Sequence, residues 1–205
     1  MATHAVHTEQ SMSVERIQQQ FRESAAVKLE ALEALSMPIA AAVDTMFAAL
    51  ANGNKIIACG HGGSAVSVQH FAAALIDRFE RERPGLPALA LSADAAALGG
   101  TNDDSFNQVF AKQVRALGQP GDVLLAITAS GNAAPVLAAI HDAHEREMVV
   151  VALTGDGGGR VNDVLTDTDI SIAVPSARTA RIHEIHLLII HCLCDGIDAM
   201  LLGDD

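Results

Sequence analysis

The chain has 205 residues, half of them apolar, with 16 glycines and a formal charge of −12 at neutral pH. That is enough apolar material for one good-sized core, and too much for a disordered chain. The acidic balance excludes a general DNA- or RNA-binding surface, which needs clustered positive charge. The first residues carry neither the basic leader nor the apolar stretch of a signal peptide, and the apolar run Leu187 to Cys194 is interrupted by His191 and too short to span a bilayer. A cytoplasmic protein is therefore expected.

In chain order, residues 1–11 read as a polar tail. An amphipathic helix follows from about Ser13, with Ile17, Phe21, Ala25, Leu29 and Leu32 at helical spacing, a stripe suited to pairing with a second subunit. Pro38 is read as opening a second helix that ends at Asn52-Gly53. The division is then a tail over 1–11, N-terminal helices over 12–53 and the main domain over 54–205. Within that domain a strand is expected over Lys55–Cys59, then a glycine turn and a helix carrying Val68, Phe71, Leu75 and Phe79. Short strands follow at Ala88–Leu91, Val123–Thr128, Met148–Leu153 and Ile170–Val174, with helices at Phe106–Leu117, Pro135–Arg146 and Arg178–Leu202. Strand, small-residue turn and helix in repetition describe a parallel sheet with helices on both faces, an α/β fold whose ligands sit at the carboxyl ends of the strands.

The turns carry the chemistry. Cys59-Gly60-His61-Gly62-Gly63-Ser64 places three glycines and a serine where a helix begins, which suits either a phosphate cradle or a tight turn without a ligand. Thr128-Ala129-Ser130-Gly131-Asn132 closes a second strand in the same manner. There is no GxGxxG with its acidic partner and no Gly-Lys-Ser or Gly-Lys-Thr, which argues against a dinucleotide site and a nucleotide P-loop. Cys192 and Cys194, two apart on one helix, cannot share a metal ion and read as small buried hydrophobes.

Cys59-Gly60-His61-Gly62-Gly63-Ser64-Ala65 with Gln69-His70-Phe71-Ala72-Ala73, together with Ser130-Gly131-Asn132, Leu153-Thr154-Gly155 and Arg181-Ile182-His183-Glu184, resembles the SIS-domain phosphosugar binders. Within that group the chain resembles the phosphoheptose isomerases and the related DnaA initiator-associating proteins. The resemblance implies a three-layer α/β/α sandwich with a five-stranded parallel sheet, and a homotetramer with sites between subunits. It implies a phosphosugar site at Gly62, Gly63, Ser64, Asn102, Asp103, Thr128, Ser130 and Asn132. In the enzymes it further implies a sedoheptulose 7-phosphate substrate and a zinc ion.

Carried over by position, the implied metal ligands are His70, His183, which stands in place of a glutamine, and His191, which is also the catalytic acid position. Three histidines suit zinc with one position left open. The glutamate that serves the isomerases as ligand and base falls at Ala74, which can neither ligate nor accept a proton. Asp77 is a nearby carboxylate on the same stretch. Alanines at 129 and 133 remove two hydroxyls from the phosphate turn, and His61 replaces an asparagine. His186 reads as structural, and His141 and His144 as solvated. A pocket short of its carboxylate suggests a non-catalytic protein that binds the replication initiator DnaA through Leu201 and Leu202. The other reading is a sedoheptulose 7-phosphate isomerase.

Overall fold

The computed structural model describes residues 2–92 and 106–203, with side chains from Met12 onward. In chain order the elements are α1 (Ala2–Ala51), β1 (Ile56–Cys59), α2 (Gly63–Ile76), β2 (Ala88–Ala90), α3 (Val109–Leu117), β3 (Val123–Ile127), α4 (Ala134–Glu145), β4 (Val149–Thr154), α5 (Gly159–Val164), β5 (Ile170–Ala173) and α6 (Thr179–Leu202). The strands form one five-stranded parallel sheet in the order β2-β1-β3-β4-β5. The short α5 is an element the sequence pattern does not announce.

Both faces of the sheet are covered, so the central strands β1 and β3 are apolar throughout and β4 is apolar up to Thr154. Ile56, Ala58, Val123, Leu125, Val151 and Leu153 point to the layer of α1, α2 and α6, while Ile57, Cys59, Leu124, Ala126, Val150 and Ala152 point to the layer of α3, α4 and α5. Both sets are fully buried apart from a trace at Val123, and their alternation is the period of two that a strand imposes. Pairing of Cys59 with Ala126 and of Ile127 with Leu153 brings the carboxyl ends of β1, β3 and β4 level.

The N-terminal segment differs from expectation. It is one 50-residue helix beginning at Ala2, with Pro38 inside it and no break there. Proline costs the helix one backbone bond. The helix runs on because Leu35, Ala42 and Met46, on both sides of Pro38, are buried in one continuous core, and packing outweighs the local penalty. Polar ties hold α1 to the start of α6. Ser24 Oγ donates to Glu184 Oε2 at 2.7 Å, Arg181 donates to the Gln20 carbonyl at 2.7 Å, and Arg178 pairs with Glu23.

Although α1 and α6 are long and apolar enough to cross a membrane, α6 turns Ile182, Ile185, Ile189, Ile190 and Leu193 into the core beside the sheet. Near its far end Asp198 pairs with Arg83, whose side chain is fully enclosed and also donates to the Ala74 and Leu75 carbonyls at 2.8 Å each. Cys194 is buried and Cys192 exposed, on different sides of α6 as their spacing requires. His144 departs from the solvated reading: it is half-buried, 2.8 Å from Asp169.

Candidate active site

A cavity of about 350 Å³ opens at the carboxyl ends of β1 and β3. One wall is the β1–α2 turn, His61 to Ser64; the second is Ile127 to Ser130; the third is the entry to α6, with Ala177, Thr179, Ile182 and His183. Gly62 has φ of +59°, a conformation that suits glycine, and an added Cβ there would meet nothing within 4 Å. The turn thereby starts α2 at the cavity wall; the Ser64 and Ala65 N–H groups donate to the His61 and Gly62 carbonyls at 3.2 Å each, and the positive end of the helix dipole favours an anion there.

Two hydroxyls strengthen this. Ser64 and Thr128 are almost wholly buried, at 3% and 5% exposure, and both line the cavity. Neither hydroxyl is among the enclosed side-chain atoms left without a partner in the described residues. Two hydroxyl side chains on one cavity wall, beside a helix start, suit a polar ligand. Of the expected phosphosugar residues, Gly62, Gly63, Ser64, Thr128 and Ser130 line this cavity. Asn132 turns elsewhere: its Nδ2 donates to the Ser130 carbonyl at 2.8 Å and its Oδ1 accepts the Arg160 N–H at 3.1 Å, which caps α5. Asn102 and Asp103 lie outside the described residues.

Helices α2 and α6 lie side by side and touch at two levels. At the cavity, a Cβ on Gly63 would lie 2.8 Å from His183 Nε2, so the imidazole occupies the room the glycine leaves. Seven residues along α2, about 10 Å at the rise of an α-helix, His70 Nε2 lies 3.1 Å from His191 Nε2, with Phe79 packed against the His191 ring. One nitrogen of that pair donates and the other accepts, so the pair holds a transferable proton. The structure brings His70 and His191 together and keeps His183 at the other level, where its Nδ1 is buried without a partner. Among the described residues, the set of three ligand groups with atoms within 4.8 Å of one another is His141, Asp142 and Glu145, on the far helix α4.

Ala74 follows His70 by one turn and is buried, with no carboxylate in its place. Asp77 is exposed just past the end of α2. His186 is fully buried, its Nε2 donating to the Thr154 carbonyl at 3.0 Å; burial above all drives its pKa down from 6.5 to about 4, with His183 adding to the effect and the carbonyl opposing it. Sequence reasoning missed Thr179 and Ala177 as cavity walls, and Phe106, whose ring stands edge-on to His61 at 6.0 Å. No local motif marks them, because they reach the site through tertiary packing.

The SIS-domain model matches residues 20–155. The chain belongs to the SIS-domain family. It is 60% identical over 191 residues to a phosphoheptose isomerase of an Azoarcus species, covering 93% of this chain and 97% of that one. It is 59% identical to the phosphoheptose isomerase of Aromatoleum aromaticum, over 93% and 96% of the two chains. Among solved structures it is similar to phosphoheptose isomerases from Neisseria gonorrhoeae, with a TM-score of 0.84 and 48% identity over 90% of this chain and 98% of that one, and from Francisella tularensis, with 0.86 and 46% over 91% and 98%.

These relatives overturn the expectation of a non-catalytic DnaA-binding protein. Proteins that match this SIS chain over nearly its whole length carry the isomerase name, and none of them links it to DnaA. Of the expected docking residues, Leu201 lines a small apolar recess with Phe47, Leu50, Leu86 and Ile197 of its own chain and Leu202 ends α6, both exposed.

Proposed function

We propose that this chain is an aldose–ketose isomerase of sugar phosphates, with sedoheptulose 7-phosphate as its substrate. The observation that carries the reading is the cavity wall at the mouth of α2, where Ser64 and Thr128 stand beside the glycine turn. They suit a phosphate, and the relatives, named phosphoheptose isomerases, supply the sugar. With the phosphate at the turn, the extended carbon chain of a heptose reaches along α2 toward the His70–His191 pair. Isomerisation moves a proton from C1 to C2 of the ketose through an enediol, which needs a base beside those carbons. With Ala74 unable to serve, His191 takes the role, and its contact with His70 provides the partner that passes the proton on.

Zinc was expected on His70, His183 and His191. The two nitrogens of His70 and His191 lie close to the spacing that one tetrahedral ion imposes, but structural and catalytic zinc sites take three or four protein ligands. Within one copy, His183 is about 10 Å away along the helices and Ala74 offers no donor atom. The donor set of a single chain therefore falls short, and the proton chemistry rests on the imidazoles.

The homotetramer is proposed on the exposed apolar stripe of α1, which includes Met12, Ile17, Phe21, Leu29 and Leu32, beside the groove it forms with Ile185, Leu188 and Ile189 of α6. A stripe of this kind on a projecting helix is buried by a second copy. The protein is proposed to work in the cytoplasm.

The test is incubation with sedoheptulose 7-phosphate in deuterated water, followed by NMR. Aldose product with deuterium at C2, abolished by His191→Ala, is the expected result. A bound but unreacted ketose, with no deuterium at C1, refutes the isomerase.

A further inference from the structure

We infer that His61 supplies the positive charge the phosphate site otherwise lacks, so that the sugar phosphate binds together with a proton. The inference rests on the phosphate placement proposed above. No lysine, arginine, aspartate or glutamate lines the cavity among the described residues. A phosphate monoester brings nearly two negative charges at neutral pH, and the chain's net charge of −12 opposes it further. Hydroxyls, backbone N–H groups and about half a charge from the α2 dipole do not balance that.

The titratable side chains on the wall are His61 and His183. His183 lies against Gly63 with its Nδ1 enclosed and without a partner among the described residues. His61 is different. Its ring is steadied by the edge-on contact with Phe106, and neither ring nitrogen has a hydrogen-bond partner among the described residues. It stands between the phosphate cavity and a second one of about 390 Å³, lined by Gln69, Leu91, Ser92 and Phe106. Among the described residues, the groups that line this second cavity with His61, from β1, α2, the β2 end and Phe106, are uncharged.

An anion that prefers the imidazolium form binds best below the histidine range, and its affinity is lost as pH rises through that range, at up to tenfold per pH unit. By reciprocity the anion draws a proton onto His61 when it binds.

The test uses calorimetry on the full chain with two probes, sedoheptulose 7-phosphate and inorganic sulfate, which does not itself titrate near neutrality. Sulfate affinity of the unaltered protein is expected to fall about tenfold or more between about pH 6 and about pH 8. Sugar phosphate binding at neutral pH is expected to take up a proton, read from buffers of different ionisation enthalpy. His61→Asn and His61→Gln lose both effects and match the unaltered protein at the higher pH. A flat sulfate profile in the unaltered protein, or an equal fall in both variants, overturns the assignment to His61. Turnover of the sugar phosphate without proton uptake overturns this inference and leaves the isomerase standing. Failure of both anions to bind at any pH overturns the phosphate placement and this inference with it.

Discussion

Removing Asp198 tests whether the far end of α6 holds α2 in place. Arg83 and Asp198 have side-chain exposures of 0% and 2%. In Asp198→Ala the guanidinium keeps only neutral acceptors, the carbonyls of Ala74 and Leu75 at 2.8 Å and of Pro84 at 3.3 Å. The carbonyls of Ala74 and Leu75 belong to the last turn of α2 and favour a cation by less than about 1 kcal/mol. An enclosed charge without its counterion costs about 3–5 kcal/mol, a large part of the roughly 5–15 kcal/mol that holds a domain folded. Arg83→Ala is expected to cost at least as much, because it strands the carboxylate and the helix-end carbonyls together. Arg83→Met with Asp198→Leu removes both charges and is expected to cost less than the sum of the single changes. Urea unfolding followed by circular dichroism, at one fixed protein concentration so that assembly does not shift the midpoint, measures all three. A loss under about 1 kcal/mol for Asp198→Ala, or a double variant equal to the sum, refutes the reasoning.

His186 gives a pH signature. Its folded pKa, about 4, lies below the unfolded value of 6.5, so its contribution is complete above the unfolded value and is lost as pH falls toward the folded one, about 3 kcal/mol in all; His186→Gln should flatten the stability profile across that window, and a profile parallel to the parent's counts against it. In Gly63→Ala the new Cβ meets His183 Nε2 at 2.8 Å, so a loss of about 1–3 kcal/mol is expected, largely relieved by adding His183→Ala, as thermal unfolding will show. Ala74→Glu puts a carboxylate one turn from the His70–His191 pair; initial rates on sedoheptulose 7-phosphate should rise by about a hundredfold or more, and an unchanged rate would count against position 74 facing the reacting carbons.

The sheet was legible because each strand is a short apolar run closed by glycine, serine or threonine, and the local signal survives without tertiary context. The cradle at Ser64 was legible for the same reason. Pro38 misled, because its local penalty is overcome by the packing of Leu35, Ala42 and Met46 on the layer beneath. Asn132 looked like a ligand residue and became a cap, since its fate depends on Arg160, 28 positions away. The contact of Gly63 with His183 and the pairing of Arg83 with Asp198 join residues more than a hundred positions apart and leave no periodic trace. The functional misreading had a different origin. One absent carboxylate at Ala74 was weighed as lost chemistry, when Ser64 and Thr128 were still in place on the cavity wall at the other end of the site.

Helix α1 also governs how the molecule moves through water. Its 50 residues make a rod about 75 Å long, whereas a compact chain of this size has a radius of gyration near about 17 Å. Drag is set by the rod and mass by the body, so a single copy diffuses and elutes as though it were heavier than it is. Tumbling about the long axis and end over end will differ, and light scattering or sedimentation equilibrium, which weigh particles rather than time them, are the measurements that can count the copies in an assembly.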